Sequence, residues 1–457
     1  MQVLVSVFVI VPFSTFYLEP KDFGLLAIIV LITSIINPLS VSAPKWILGG
    51  NFFFLDEEGK KKIFFNLLFV DFILKTFVFL MIFILSETIT QYFNLQEEKF
   101  LVYLKIALFG NWLGLFWPSV SQFLILSEQF KIHSAIETVK FILGAVFTVF
   151  ALSYLKMGLI AIILTPIVVN LISIIFELKI IYSNTIFKIE KKYLKIVLSN
   201  TAKSIPTSLA DTLKNFSDRY FIQLFSNLTQ LGFYSHSQTY FNVFKIGFKS
   251  FYNSISADVL QDLTENNSKK ILEHFELLKI IYYLLFLSGM ILILFCENII
   301  SFLTFDKFTQ SASYVPIWYM IIFSNFYGVM AFDFLTVKKE TNIIALSLIV
   351  PSLLSIAITA IFIYLYGLYG GVCAMVLANF SIQIWRKLAA KKLGFSDNVD
   401  RYFWIGLVFY ICFFISYLVF NYDLIIKILL FFIILVLIFN LLKSNYKKLG
   451  LDKIFNF

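Results

Sequence analysis

Residues 63–85 read IFFNLLFVDFILKTFVFLMIFIL, and this stretch decides the class of fold. It is long enough to cross a bilayer, which takes about 20 predominantly apolar residues. A charge at the centre of a membrane helix costs about 2.5–3.5 kcal/mol on insertion scales, so intramembrane charges pair or line a wet cavity. The stretch holds Asp71 and Lys75, whose spacing of four predicts an ion pair within the helix. Asp71 and Lys75 therefore either form a structural ion pair or line a substrate cavity.

The composition of the whole chain indicates the same class. Of its 457 residues, 60% are hydrophobic and only 14% are charged, whereas soluble domains are about half apolar and a quarter charged. The three cysteines and three histidines follow no spacing typical of a metal site or a disulfide framework, and no nucleophile motif or phosphate-binding loop is present. We therefore predict an all-α integral membrane protein that is not an enzyme and binds no cofactor.

Fourteen apolar stretches are candidate transmembrane helices, and the seventh and eighth are more polar than the rest. They are 2–18, 22–43, 63–85, 101–126, 137–155, 157–177, 204–226, 230–256, 277–302, 314–336, 342–366, 367–387, 402–420 and 423–442. The first stretch begins at Met1 without a basic region or a cleavage site, so we expect an uncleaved helix rather than a secretory signal.

Lysine and arginine residues predict the orientation, because they favour cytoplasmic segments. The segments that follow even-numbered helices, together with the C-terminal tail, hold 26 of these residues, and the opposite segments hold five. We therefore expect a multi-pass protein of the bacterial inner membrane with both termini in the cytoplasm. The external connections are short, the longest running from Ser86 to Lys99, and leave no room for a folded domain.

The longest basic segment divides the chain into two similar halves. We predict an N-terminal six-helix lobe, a cytoplasmic connecting segment, a C-terminal six-helix lobe, and two extra helices with a basic tail, at 1–180, 181–203, 204–390 and 391–457. A short match between Tyr154–Gly158 and Tyr366–Gly370, 212 residues apart, suggests a parallel repeat with its axis along the membrane normal. A chance resemblance between two glycine-containing hairpins is the alternative.

The seventh helix has one polar side at the helical period. Its charged and amide residues there are Asp211, Lys214, Asn215, Asp218 and Arg219. The spacings predict that Lys214 pairs with Asp211 and Asp218. Lining a cavity is one interpretation of this face, and a buried structural network of ion pairs is the other.

The eighth helix carries a continuous polar stripe that includes Gln238, Asn242, Lys245 and Lys249. Neither lysine has an acidic residue one turn away in this helix, so a water-filled cavity is a cheaper environment for them than lipid. Lys245 is the deeper of the two, and we predict that it contacts an anionic substrate. Lys249 lies near the predicted cytoplasmic end, where its ammonium group could instead extend to the membrane interface.

Four stretches carry a resemblance to a known family. They are Leu18–Gly24 (LEPKDFG), Ser217–Phe225 with Leu231–Ser235, Phe302–Ala312, and Tyr366–Ala374. In their order among the helices they resemble the polysaccharide transporters of the multidrug/oligosaccharidyl-lipid/polysaccharide exporter superfamily, specifically the O-antigen (Wzx-type) flippases. The likeness covers residues 1 to about 390, and this chain departs from the family in having no short basic leader before the first helix.

The resemblance implies two six-helix lobes, related by a pseudo-twofold axis around a central cavity that opens to each leaflet in turn. It implies an undecaprenyl-diphosphate-linked oligosaccharide as substrate. A polysaccharide polymerase and a chain-length regulator are then expected partners besides membrane lipid, and nucleic acid is not. The sequence leaves coupling to H⁺ or Na⁺ open.

Two other functions compete with this interpretation. A drug or metabolite antiporter of the same superfamily would need acidic and aromatic groups around a cationic substrate, which the lysines of the eighth helix disfavour. A membrane polysaccharide polymerase or glycosyltransferase would need catalytic groups on sizeable external loops, and the predicted loops are short.

Overall fold

The structure is a computed structural model that describes residues 6–40, 44–93, 99–396, 399–420 and 422–444. Within these ranges the chain is helical and contains no strand. A π-helix at Ser6–Ile10 leads into α1, and short 3-10 helices lie at Phe52–Phe54 and Thr309–Tyr314. The α-helices are α1 (Val11–Tyr17), α2 (Pro20–Ser40), α3 (Pro44–Asn51), α4 (Glu57–Tyr92), α5 (Phe100–Leu113), α6 (Trp117–Leu126), α7 (Phe130–Ser153), α8 (Leu159–Asn184), α9 (Lys191–Phe225), α10 (Leu228–Thr264), α11 (Ser268–Thr304), α12 (Val315–Tyr327), α13 (Val329–Val337), α14 (Thr341–Lys392), α15 (Asp400–Phe420) and α16 (Leu424–Ser444).

Ten segments of the described chain are long and apolar enough to cross a membrane by length and composition. Three features account for the difference from the fourteen predicted spans. The helix α14 contains two predicted spans, which meet at Gly367 where φ is +59°. The helices α9 and α10 are too polar for this criterion, and Ser6–Tyr17 is too short. Over the described residues, each predicted stretch coincides with a helical segment, so the all-helical membrane fold is confirmed.

The chain groups into two compact units, residues 1–235 with 359–367, and residues 236–358 with 368–457. In the first unit α9 packs against α2 and α4, and α8 packs against α5 and α7. In the second unit α11 packs against α15 and α16. The two six-helix lobes and their boundaries at 181–203 and 391 stay predictions.

The connection between α8 and α9 is fixed to the start of α4. The Glu190 carboxylate lies 2.8 Å from the Lys62 Nζ, and the Asn66 amide donates to the Lys188 carbonyl oxygen at 3.1 Å. The hydrogen bond from Lys62 lowers the pKa of the Glu190 carboxyl. This segment is therefore an ordered basic surface rather than a free linker.

Two glycines allow a close contact between two helices of the first unit. A Cβ at Gly24 would lie 2.0 Å from the Leu228 carbonyl oxygen, and one at Gly232 would lie 1.7 Å from the Pro20 carbonyl oxygen. The first turns of α2 and α10 therefore touch backbone to backbone, as small residues permit between membrane helices. Both glycines belong to the stretches that carry the family resemblance, so this contact gives those motifs a packing role.

The same contact predicts the effect of adding one methyl group. In Gly232→Ala the new Cβ forces α2 and α10 apart, and we expect a loss of about 1–3 kcal/mol of stability. The thermal unfolding temperature of the purified protein measures this. Gly247→Ala in the same helix is the matched control, because nothing lies within 4 Å of the Cβ that it adds. Equal unfolding temperatures for the two variants would contradict the contact.

Two glycine turns of the same geometry precede the helices predicted as the sixth and the twelfth. Gly158 has φ +60° and ψ −141°, and Gly367 has φ +59° and ψ −140°. Each helix continues from the next residue, a leucine. The two glycines are 209 residues apart, whereas the predicted match gives 212, and the internal repeat stays a prediction.

Several aromatic side chains of the second unit are buried with their polar atoms hydrogen-bonded. The Trp318 indole donates to the Ser237 hydroxyl at 3.0 Å, and the Tyr410 hydroxyl donates to the Pro316 carbonyl oxygen at 2.9 Å. Buried tyrosine and tryptophan residues need such partners. This part of the chain is consequently a packed core joining α10, α12 and α15.

Candidate substrate site

A cavity of about 730 Å³ lies within the first unit, bordered by α2, α4, α5, α6, α7 and α8. Most of its wall is apolar. Two lysines and three amides interrupt that wall: Lys75, Lys140, Asn37, Asn111 and Asn170. Ligand sites typically have volumes of about 300–1,000 Å³ and combine apolar walls with a few convergent polar groups. The cavity is therefore the candidate substrate site of this unit.

Close packing of α5 on α8 places the amides in the cavity wall. The Asn170 amide donates to the Gly110 carbonyl oxygen at 3.0 Å. A Cβ at Gly114 would lie only 2.8 Å from that amide nitrogen. The Asn111 side-chain oxygen is buried and has no hydrogen-bond partner in the described part of the chain. Because an unmet buried acceptor costs about 1–3 kcal/mol, this oxygen favours a ligand hydroxyl group.

The residues Asp71 and Lys75 do not form the predicted ion pair. Both belong to the described chain, and both are buried, with 0% and 3% of their surface exposed. The Asp71 carboxylate accepts a hydrogen bond from the Ser119 hydroxyl, while Lys75 lines the cavity. The hydrogen bond from Ser119 of α6 takes the place of the predicted ion pair between Asp71 and Lys75. Lys75 is then available to a ligand in the cavity.

The second lysine of the cavity is paired across two helices. The Lys140 Nζ on α7 lies 3.5 Å from the Glu177 carboxylate on α8, which also accepts from the Ser173 hydroxyl at 2.9 Å. The same Nζ lies 4.2 Å from the centre of the Trp117 ring. Glu177 is 1% exposed, so Lys140 supplies the charge that a buried carboxylate requires.

Sequence reasoning missed this pair. Lys140 lies in the predicted stretch 137–155 but was counted among the 26 basic residues of the cytoplasmic side, whereas α7 begins ten residues earlier at Phe130. A signal was present on α8, where Asn170, Ser173 and Glu177 are spaced by three and four and form a polar stripe on an otherwise apolar helix. That stripe predicts a polar face towards other helices.

On α9 the structure supports one predicted pair and not the other. The Lys214 Nζ lies 3.1 Å from the Asp211 carboxylate. Between the described residues Lys214 and Asp218 there is no ion pair, because Asp218 accepts from the Tyr234 hydroxyl and from the Arg219 backbone N–H at 2.8 Å. Lys214 and Asp218 are buried in the first unit, whereas the Asp211 side chain is 46% exposed. None of the three lines the cavity.

Two further predicted residues of α9 have local roles. The Arg219 guanidinium donates to the Ala27 carbonyl oxygen of α2 at 3.4 Å and lies 4.6 Å from the Phe216 ring centre. The Asn215 side chain is half-buried. The geometry therefore gives Arg219 a structural contact with α2, and a role in the substrate path stays a prediction for both residues.

The polar stripe of α10 belongs to the second unit. Gln238 is half-buried, whereas Asn242, Lys245 and Lys249 are exposed. The Lys245 Nζ lies 5.6 Å from the centre of the Phe241 ring. Exposure is compatible with a water-filled path, and contact between Lys245 and substrate stays a prediction.

Comparison with known families now places the chain. The family model described as "Polysaccharide biosynthesis protein" matches residues 17–313. The chain belongs to the polysaccharide biosynthesis protein family. This confirms the family resemblance of the sequence motifs. No curated protein sequence matches the chain significantly.

Solved structures resemble this polysaccharide biosynthesis protein in fold. The lipid II flippase MurJ, in an inward closed conformation, has a TM-score of 0.75 and 15% identity, covering 97% of this chain and 97% of that chain. An inward-facing multidrug resistance MATE family transporter of the MOP superfamily has a TM-score of 0.66 and 14% identity, over 86% of this chain and 95% of that one. The Vibrio cholerae MATE transporter VcmN, in a mutant form, has a TM-score of 0.56 and 12% identity, over 88% and 98%. At such identities the likeness shows the fold, that of a multi-pass membrane transporter.

The pair across α7 and α8 predicts an asymmetric response to mutation. In Lys140→Met the fully buried Glu177 loses its counter-charge, and we expect a loss of about 3–5 kcal/mol of stability. In Glu177→Leu the loss should be smaller, because the Lys140 side chain borders the cavity and can be hydrated there. Thermal unfolding of the purified variants measures both, and the double variant should recover most of the loss. A Lys140→Met variant as stable as the native protein would exclude the pair as a structural element.

Proposed function

We propose that this polysaccharide biosynthesis protein is a flippase for an undecaprenyl-diphosphate-linked oligosaccharide, the repeat unit of an O-antigen or capsule. It moves this lipid from the cytoplasmic to the periplasmic leaflet by alternating access between two six-helix lobes. The observation that carries the proposal is the cavity of the first unit, where Lys75 and Lys140 face the same space as three amides. Family membership and the fold shared with a lipid II flippase support it.

The chemistry of the substrate matches these groups. Lysine ammonium groups bind phosphate through charge-assisted hydrogen bonds, which are about twice as strong as neutral ones. Amide side chains both donate to and accept from sugar hydroxyls. Cations and amides around one cavity therefore suit a diphosphate joined to a short glycan. The substrate crosses without covalent change, so the protein is not an enzyme in this proposal.

A drug or metabolite antiporter is the second candidate. The MATE transporters that share the fold favour it. The two lysines of the cavity disfavour cationic drugs, because a like charge in a site of low polarity is repelled. A polymerase is less well supported, because it would need catalytic groups on sizeable external loops and the predicted external loops are short.

The proposal places the protein in the inner membrane with both termini in the cytoplasm. It includes a polysaccharide polymerase and a chain-length regulator as partners that take over the exported unit. Coupling of transport to H⁺ or Na⁺ belongs to the same proposal.

Lys75 of the cavity predicts a transport defect without a folding defect. In a deletion strain, Lys75→Met should lower surface polysaccharide at least about tenfold at normal protein abundance, the loss expected from one hydrogen bond to a charged group. Lys75→Arg should retain part of the activity, and Lys105→Met, outside the cavity, is the matched control. If Lys245 of α10 contacts the anionic substrate as predicted, Lys245→Glu should abolish surface polysaccharide in the same assay without lowering protein abundance.

The location of the unflipped lipid decides between transport and polymerisation. The deletion strain should accumulate lipid-linked single units on the cytoplasmic side. Units already exposed on the outer leaflet of that strain would point to a polymerase. Full activity of a well-expressed Lys75→Met variant would exclude the cavity of the first unit as the substrate site.

The orientation can be tested by labelling single cysteines in a version that lacks the native ones. Asn227 and Tyr366 are exposed at predicted external turns, so cysteines there should react with an impermeant thiol reagent in intact spheroplasts. A cysteine at the exposed Lys192, on the predicted cytoplasmic side, should react only after lysis. Tyr366 is preferable to its neighbour Gly367, whose positive φ disfavours a side chain. The reverse pattern would invert the topology and the direction of transport.

A further inference from the structure

One side chain borders two different spaces of the first unit. Lys140 lines the candidate substrate cavity, and it also lines a groove of about 440 Å³ between α7 and α8. The groove wall is largely apolar and includes Ile132, Val139, Ile172 and Phe176. No part of the mechanism above uses this groove.

We propose that the groove between α7 and α8 binds the polyprenyl chain of the substrate while Lys140 holds its diphosphate. The inference rests on the proposed function and adds to it the path of the lipid chain. The glycan then lies in the cavity, so that Lys140 marks the boundary between the apolar and the polar part of one ligand.

The shape of the groove suits an extended chain. Its wall on α7 runs from the residue before the helix, Gln129, to Leu143, which corresponds to roughly 20 Å of helix. The side chains of Ile132, Val139 and Phe176 remain 47%, 44% and 47% exposed. An open trough of this kind accepts a flexible chain along its length.

Apolar surface alone does not select this ligand, because the acyl chains of a bilayer are equally apolar. The selecting feature is charge. Lys140 and Lys179 both line the groove, and Lys140 is the one of the two that also lines the cavity. A chain seated in the groove therefore presents an anionic group to Lys140.

The group beyond the phosphate distinguishes a glycolipid from an ordinary phospholipid. The cavity on the other side of Lys140 offers the amides of Asn111 and Asn170, and the Asn111 oxygen is buried without a partner in the described chain. A glycan offers these amides many more hydroxyl partners than a phospholipid headgroup does. A diphosphate that carries several sugars extends to them.

The experiment separates the chain from the headgroup. Val139→Trp narrows the groove, and Ile142→Trp, at an exposed apolar position of α7 outside the groove, is the matched control. The probes are a polyprenyl-diphosphate disaccharide and the same diphosphate disaccharide carrying a methyl group, bound to purified protein in nanodiscs. We expect Val139→Trp to weaken binding of the polyprenyl probe at least about tenfold, since a displaced chain moves the diphosphate from Lys140. Its affinity for the methyl probe should not change.

The remaining measurements distinguish a failure of the groove proposal from a failure of the proposed flippase function. The double variant Lys140→Gln/Glu177→Leu, which removes both partners of the buried ion pair, should weaken both probes, and Ile142→Trp neither. Unchanged or equally weakened binding of the two probes by Val139→Trp would overturn the groove proposal while leaving the flippase in place. Release of a co-purified phosphatidylglycerol from Val139→Trp, with polyprenyl binding intact, would assign the groove to a phospholipid and overturn it too. If the native protein binds neither probe, the proposed function itself fails.

Discussion

Pairing of charge away from water is the constraint on which the first unit depends. The Glu177 carboxylate on α8 is almost fully buried and has Lys140 of α7 as its counter-ion at 3.5 Å. A buried ion is costly unless its partner is held in place, so this pair sets the position of α7 against α8. The same two helices border the cavity on one side and the apolar groove on the other. The ion pair therefore lies between the two candidate ligand spaces, and Lys140 lines both of them.

Local spacing predicts charge pairing well only where no neighbouring helix offers a better partner. Asp211 and Lys214 pair as their spacing predicts. The carboxylates of Asp71 and Asp218 instead accept from the hydroxyls of Ser119 and Tyr234. In a dry interior a hydroxyl donor costs less to desolvate than a second ion. An i, i+4 rule taken from exposed helices therefore overestimates ion pairs within a bundle.

The membrane segments could be predicted from the sequence. The candidate substrate site could be predicted only in part. Span length depends on bilayer thickness, which leaves a signal in each stretch separately. The cavity depends on contacts among six segments, and its members come from positions as distant as Asn37 and Asn170. Lys75 was found because it interrupts an apolar helix. Lys140 was not, because a basic residue near a helix start is also what a cytoplasmic loop contains.

The two glycine turns favour a different register for the predicted internal repeat. Matching Tyr154 with Tyr366 gives a separation of 212 residues, whereas the backbone gives 209. Both tyrosines are exposed, at 77% and 65%, and an exposed aromatic side chain at a membrane surface can occupy any of several neighbouring positions. Gly158 and Gly367 adopt φ near +60° with ψ near −140°, a conformation that is essentially restricted to glycine. A constraint on the backbone therefore fixes a position more strictly than a match of surface side chains does.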